Sequence, residues 1–324
     1  GSRSIFAQMN GSYTINPTGT GLNNFTSFSA AVNRLIWVGI TGPVSFAVSA
    51  ATYNEQVTIP PIPGASATNT ITFDGGTGNR TSRILQYSTP NQNDAVVLFN
   101  GADYISFKNI TIRATGASYG YGVQFAPGID QMGSNYNRLI TCNIEVPTNT
   151  TSSYHIPIVA SMLGSYSTSG NNANYTLIQD CNIFSGYFGM SWYGVSSSAY
   201  TQCVGNEFLG NNFYDWYYYG TYFYYTGSGF KFKNNRVVQR SSGTYTTSGG
   251  YAIYGYYLQD GPEISYNFAK CSYAPIYVPY VNTTYASTAN RGKIYNNMAV
   301  AIGTSTVYGL YCSYPRYTDI VYNS

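Results

Sequence analysis

The chain is short of charge. Asp, Glu, Lys and Arg make up 8% of its 324 residues, against about a quarter in an average soluble protein. The formal net charge is only +3, so neither a nucleic-acid partner nor an anionic membrane surface finds support. There is a single histidine, His155, which leaves no basis for a metal site of clustered His and Cys ligands. No apolar run approaches the roughly 18 residues of a membrane-spanning helix. Disorder is excluded from the other side, because a disordered chain is rich in charge and poor in aromatics.

Aromatics and glycine fill the space. There are 36 Tyr and 34 Gly. Solubility therefore rests on Ser, Thr, Asn and Tyr polar groups, a composition common among extracellular β proteins. Five Cys is an odd number, and no two form a Cys-x-x-Cys pair. Cys142 and Cys181 each precede Asn, as Thr-Cys-Asn-Ile and Asp-Cys-Asn-Ile. They read as small buried residues at one equivalent site on adjacent repeats. A disulfide framework or a metal site is the alternative.

The organising stretch is residues 212–219, Asn-Phe-Tyr-Asp-Trp-Tyr-Tyr-Tyr. Successive side chains of a strand point to opposite faces, so Trp216 and Tyr218 are expected inward, Tyr217 and Tyr219 outward. Similar strands recur along the chain. Gly1-Ser2 reads as an expression remnant and residues 4–8 as the tail of a secretion signal. The last residues fall inside a further repeat, so a fragment of a longer protein is expected.

Residues 1–60 differ from the rest and are expected to form an N-terminal strand-and-helix cap. Residues 24–36 place Phe25, Phe28, Val32 and Leu35 at helical spacing, with Ser27 or Asn24 as the cap. Strand patterns follow at residues 44–48, 52–59 and 70–73. Residues 61–324 are expected to continue as coils of one domain. Beyond residue 100 a short motif takes over: an apolar residue, two others, then Asn. It ends at Asn143, Asn206, Asn235, Asn267, Asn297 and Asn323, and Asn109 and Asn182 fit with a one-residue slip. Gaps between these Asn run from 24 to 39 residues, which signals a solenoid with constant strands and variable loops. Asn tolerates a left-handed turn, and stacked amides at one strand spacing bond up and down the column. All eight are expected to form a structural ladder.

The aromatic strands align on an inward column of Val123, Ile158, Met190, Trp216, Ile253, Ile276 and Leu310. The next position outward is Gln124, Val159, Ser191, Tyr217, Tyr254, Tyr277 and Tyr311. Two further on stand Ala126, Ser161, Tyr193, Tyr219, Tyr256, Pro279 and Ser313. The preceding position, also read as outward, is Gly122, Pro157, Gly189, Ala252, Pro275 and Gly309, with Asp215 the exception. A tyrosine stripe on one flat parallel sheet is the result.

This order of N-terminal helix, Thr-Tyr-Asn-Glu-Gln-Val-Thr-Ile at residues 52–59, and repeated strand–Asn–strand units resembles the pectate-lyase-like superfamily. The part from Ile40-Thr-Gly-Pro-Val-Ser-Phe to Ile71-Thr-Phe-Asp is similar to the opening of β-helix domains in large secreted bacterial surface proteins. The resemblance implies an all-β, right-handed parallel β-helix with an N-terminal capping helix, and it says little about function. Enzymes of the superfamily use clustered charges: calcium-binding carboxylates with an Arg or Lys base, or grouped Asp with His or Arg. Here 12 acidic residues are scattered. Asp260 and Glu263 with Lys231 and Lys233 form the best cluster, and a Tyr base beside His155 or an Arg is a further alternative. Gly75-Gly76-Thr-Gly78 lacks the Lys-Ser/Thr of a phosphate loop.

The functional expectation is a non-catalytic extracellular or cell-surface adhesive module that binds a polysaccharide or surface glycan without cofactor. Tyr193, Tyr217, Tyr219, Tyr254, Tyr256, Tyr277 and Tyr311 would form flat platforms for sugar rings, and Asp215 would orient a hydroxyl. The alternatives are tyrosine stacks that only stabilise the sheet, under a covering loop such as residues 220–229, a structural stalk, a protein contact, or a polysaccharide lyase or hydrolase.

Overall fold

The computed structural model describes residues 7–195, 203–240, 249–283, 288–304 and 306–324. The putting together of its strands follows one rule: each pairs in parallel with the strand one coil earlier and one coil later. Three long sheets result, beside a two-stranded one that pairs Ser134–Asn135 with Ala173–Asn174. Sheet A begins with Asn24–Phe25 and Met9–Ile15 and ends with Thr318–Val321; sheet B runs from Ala51–Asn54 to Met298–Ala301; sheet C runs from Val57–Ile59 to Leu310–Tyr311. The chain visits A, B and C in that order, and the nine strands of sheet B mark nine turns. This is a right-handed parallel β-helix, the hand that parallel crossovers take in about 98% of cases.

Stacking at constant register puts like residues in columns, and the columns are the core. In sheet A the inward column is Phe46, Phe73, Phe107, Leu139, Ile178, Phe208, Phe232, Ile264, Ile294 and Ile320. Its first rings stack directly, Phe46 on Phe73 at 4.9 Å and Phe73 on Phe107 at 4.8 Å. One continuous hydrophobic core extends from Met9 to Ile294.

Among the described residues there is one α-helix, α1 (Phe28–Val38). It starts later than its periodicity suggests, because Phe25 is used in the short strand Asn24–Phe25. Ser27 is the N-cap and accepts from the Ala30 N–H at 3.0 Å. The 52–59 motif has two tasks here. Tyr53 donates its hydroxyl to the Ile15 and Ser49 carbonyls. Glu55 sets its carboxylate on the start of α1, accepting from the Phe28 and Ser29 N–H groups at 2.8 Å each. A negative charge there complements the helix dipole. The buried face of the helix, Phe28, Ala31, Val32 and Leu35, joins the core.

The turn from sheet A to sheet B is tight, and its columns are polar. The third residue after each inward sheet A residue forms one column: Ile110, Cys142, Cys181, Asn211, Asn235, Asn267, Asn297 and Asn323. From Asn211 onward each amide takes the same role. Asn267 accepts from the Asn235 backbone N–H (2.9 Å) and side chain (3.2 Å). It donates to the Phe232 carbonyl and to Asn297 Oδ1, both at 2.9 Å. Cys142 and Cys181 occupy the same column as free buried thiols: the Cys142 N–H meets Cys181 Sγ at 3.4 Å.

Four of the eight ladder residues expected from sequence fall outside this column. Asn143 and Asn182 sit one residue later and form a second, shorter row, with Asn182 Nδ2 donating to Asn143 Oδ1 at 3.1 Å. Asn109 sits one residue earlier, in a left-handed turn, and donates to Asp74. Asn206 lies at the opposite turn, entering sheet A. There its amide accepts from the Thr176 N–H and donates to the Ala173 carbonyl. The terminal segments read as an expression remnant and a signal tail lie largely outside the described residues.

Candidate functional site

The site is the outer face of sheet C, built on Phe188–Tyr193, Tyr219–Thr226, Tyr251–Leu258, Ala274–Tyr277 and Leu310–Tyr311. The pairing is Met190 to Thr221 to Ile253 to Ile276 to Leu310. Trp216 is thus not in the inward column; Thr221 is. The residues that belong beside Tyr254 and Tyr256 are Tyr222 and Tyr224, five positions beyond Tyr217 and Tyr219. Residues 220–229, suspected as a covering loop, contain most of the strand itself.

Trp216 ends a sheet B strand, Asn212–Trp216, and is fully buried. Asp215, just before it, has φ +64° and interrupts the sheet B register. Its backbone carbonyl accepts from Arg240 Nε and a terminal guanidinium nitrogen at 3.0 and 2.8 Å, and its carboxylate lies 4.0 Å from that guanidinium. Tyr217 follows in the turn, with Arg240 5.8 Å from its ring centroid. Neither Asp215 nor Tyr217 belongs to the sheet C rows. Tyr219 does face outward, in a different row, stacked on Tyr251 at 5.2 Å.

The column of small residues is also re-read. With Gly220 in place of Asp215 it has no exception, and at Gly122, Gly189 and Gly220 it packs inward. A Cβ on Gly220 would lie 2.3 Å from Val237 and 2.5 Å from the Ala252 carbonyl.

Three outward rows and one turn row make the face. The central row is Tyr222, Tyr254, Tyr277 and Tyr311, with successive centroids 4.7, 5.5 and 4.5 Å apart and planes within 12°. Beside it run Tyr193, Tyr224 and Tyr256, spaced 5.0 and 5.1 Å. On the other side stand Tyr219 and Tyr251. Along the turn Tyr225, Tyr257, Tyr280 and Tyr314 stack at 5.2, 4.8 and 5.2 Å. Rings stacked this closely use their faces on each other. What they turn outward is a grid of ring edges and phenol hydroxyls, not the flat platforms expected from the sequence.

The rows begin where a cover ends. In earlier coils the central column is Gln124, Val159 and Ser191, all buried. Gln124 Nε2 reaches the Ser161, Met162 and Ser165 carbonyls, and Ser191 Oγ donates to the Tyr166 carbonyl at 2.7 Å. That segment lies over the first half of the face. The tyrosines of the three rows beyond it are half-buried, and Tyr314 of the turn row is exposed.

The face is electrically neutral. No Asp, Glu, Lys or Arg occurs in any sheet C strand named above. Burial, reinforced by neighbouring phenols, pushes Tyr251 up to about 12. Burial also brings Tyr193 to about 12, against a hydrogen bond with Tyr222, and raises Tyr219, Tyr222, Tyr224 and Tyr254. These hydroxyls stay protonated near neutral pH, able to donate and accept hydrogen bonds but not to act as phenolate bases. His155 is buried, its Nδ1 2.6 Å from Thr150 Oγ1 and its Nε2 3.0 Å from the Gly116 carbonyl. The other charged cluster lies on sheet A as ion pairs, Lys231 with Glu207 (2.6 Å) and Lys233 with Glu263 (2.9 Å). Asp260 instead accepts from Asn290. Among the described residues no group of three or more His, Cys, Asp or Glu gathers as metal ligands, and no helix is long and apolar enough to cross a membrane.

Similar structures exist. The pectin methylesterase of Aspergillus niger superposes with a TM-score of 0.52 at 14% identity, over 97% of this chain and 91% of that one. Its deglycosylated form gives 0.50 at 12%, over 97% and 92%. Escherichia coli YbhC gives 0.51 at 12%, over 87% and 78%. No family model matches the chain, and no curated protein matches it. At such identities the likeness concerns the fold alone, a right-handed parallel β-helix.

Proposed function

We propose that the chain is a non-catalytic, extracellular or cell-surface carbohydrate-binding module, and that its tyrosine face holds an extended, uncharged stretch of polysaccharide along the coil axis. The row Tyr222–Tyr254–Tyr277–Tyr311 carries this reading. It offers phenol hydroxyls at the regular coil spacing, without charge and without an acid–base pair beside them. Sugar hydroxyls would exchange hydrogen bonds with this grid, and sugar C–H groups would rest on the ring edges. The participants are Tyr193, Tyr219, Tyr222, Tyr224, Tyr254, Tyr256, Tyr277 and Tyr311. Asp215 and Tyr217 have no part in it. The carbohydrate element also draws on the fold neighbour named as a pectin methylesterase.

A second reading rests on the same stacks. Rings that spend their faces on one another stabilise the sheet, which suits a structural stalk or a protein-interaction segment. Binding to an array of glycans and insoluble polysaccharides separates the two. Tyr222→Ala/Tyr254→Ala should abolish capture of a polysaccharide that the unaltered chain retains. No capture by the unaltered chain would leave the structural reading.

A further inference from the structure

We propose a second ligand site on sheet A, a cleft that takes an anionic saccharide between Lys108 and Arg138 beside the stacked rings of Tyr104 and Tyr136. It does not rest on the reading of the tyrosine face, which lies on another sheet.

The cleft measures about 370 Å3, and both cations, both rings and the hydroxyls of Thr72 and Ser106 line it. Register sets the arrangement: Thr72, Ser106 and Arg138 stand on successive strands, and Lys108 is two residues beyond Ser106. Tyr104 and Tyr136 stack at 4.7 Å with planes 1° apart, and Tyr175 continues the stack at 4.7 Å. All three hold left-handed backbone, φ +62°, +58° and +52°. Later coils place Gly205, Gly229 and Gly261 at this turn. The turn accepts glycine, yet in these three coils it carries a stacked ring, which gives the cleft a wall of phenols.

The charges point the same way. Elsewhere on and beside sheet A three cations are paired, Lys231 with Glu207, Lys233 with Glu263 and Arg291 with Asp319, while Lys293 stands alone among the described residues rather than beside a second unpaired cation. Lys108 and Arg138 have no carboxylate within ion-pair distance among the described residues. The adjacent acids are already engaged. Asp74 Oδ1 accepts from the Gly76 N–H and from Asn109, and Asp103 accepts from the Asn135 N–H at 2.6 Å. Two free cations at one end of a small cleft suit one carboxylate or sulfate, while the hydroxyls and phenols suit the sugar that carries it. A single-stranded nucleic acid would need a longer basic track.

Calorimetric titration at low salt tests the site with four probes: a uronic-acid oligosaccharide, a sulfated oligosaccharide, a neutral one of equal length and a single-stranded oligonucleotide. At least one acidic saccharide should bind, and which one does identifies the anion. Its affinity should fall about tenfold or more in Lys108→Ala/Arg138→Ala, the loss expected for charge-assisted hydrogen bonds, and should weaken with added salt. Tyr136→Gly, which relieves the left-handed backbone, should also weaken it. Lys293→Ala, on the same sheet outside this cleft, should not. The site is refuted if neither acidic saccharide binds, if Lys293→Ala is as damaging as the double variant, or if the oligonucleotide or neutral sugar binds more tightly.

Discussion

Tyr222 and Tyr254 stack with centroids 4.7 Å apart and planes 12° apart, on strands one coil removed. The pair has two separable properties, ring contact and hydroxyl pattern, and substitutions can remove one without the other.

Tyr254→Phe keeps the stack on Tyr222 and Tyr277 and should change stability by less than about 0.5 kcal/mol, while it lowers polysaccharide capture. Tyr254→Ala removes four ring pairs, two stacked with Tyr222 and Tyr277 and two edge-on with Tyr219 and Tyr251, and should cost about 3 kcal/mol. Urea denaturation beside a pull-down assay checks both. A Phe variant that binds as well as Tyr would remove the hydroxyl grid from the account.

The asparagine column should be far more sensitive than the neighbouring row. Asn267→Ala leaves the buried Asn235 N–H and Phe232 carbonyl without their side-chain partner and should cost about 3 kcal/mol. Asn182→Ala loses one bond to Asn143 and should cost about 1 kcal/mol. Midpoints of chemical unfolding give the comparison. Equal costs would mean that the column is not the main support of the turn.

Glu55→Gln keeps the outline of the group but removes its charge and one of the two oxygens that accept from the Phe28 and Ser29 N–H groups, so only one of those bonds survives. A loss of about 2 kcal/mol is expected from the lost bond and from the helix dipole. The loss should shrink in added salt, which thermal melts at two salt concentrations will read.

Acid should act in two windows. Burial lowers the His155 pKa from 6.5. The folded state thus binds fewer protons than the unfolded one, and stability declines as pH falls below about 6.5. Burial opposes ionisation of Glu263, but hydrogen bonds from Tyr295, Lys233 and Ser265 outweigh it and hold the group below its ordinary 4.5. Its contribution is present above that value and is lost as pH falls through the lower folded one. His155→Gln should flatten the upper window alone and Glu263→Gln the lower alone. Unfolding free energies measured from pH 7 to pH 3 would show the separation, and an unchanged slope in either variant would refute that assignment.

The ladder shows how a local pattern is both informative and ambiguous. Apolar-x-x-Asn coincides with the column at Asn235, Asn267, Asn297 and Asn323, each of which follows an inward sheet A residue by three. The same pattern also occurs in Cys203…Asn206, at the turn that enters the sheet. The ladder residue of that coil, Asn211, follows Phe208 by the same spacing. The signal was present twice within nine residues, and only the identity of the inward residue separates the two.

The tyrosine rows failed in register for a related reason. Trp216-Tyr217-Tyr218-Tyr219 and Thr221-Tyr222-Phe223-Tyr224 have the same period of two. Each window alternates by itself, so the pattern cannot choose between them, although the five-residue shift is odd and exchanges the two faces. Pairing chooses: Asp215 takes a left-handed turn, Trp216 closes sheet B, and Gly220 passes under the Ala252 carbonyl, leaving Thr221 in line with Met190 and Ile253.

Composition and periodicity alone determined the parallel coil, the amphipathic helix, the inward apolar columns and the existence of a tyrosine face, because these follow from spacings of a few residues. Tertiary structure decided which tyrosines share a row, that their rings consume one another's faces, that residues 161–165 cover the first half of the sheet, and that Lys108 and Arg138 stand unpaired beside Tyr104 and Tyr136. Each of these depends on contacts between residues a full coil of 23 or more positions apart. Stacking register is set there by turn geometry and ring packing, which no local spacing encodes.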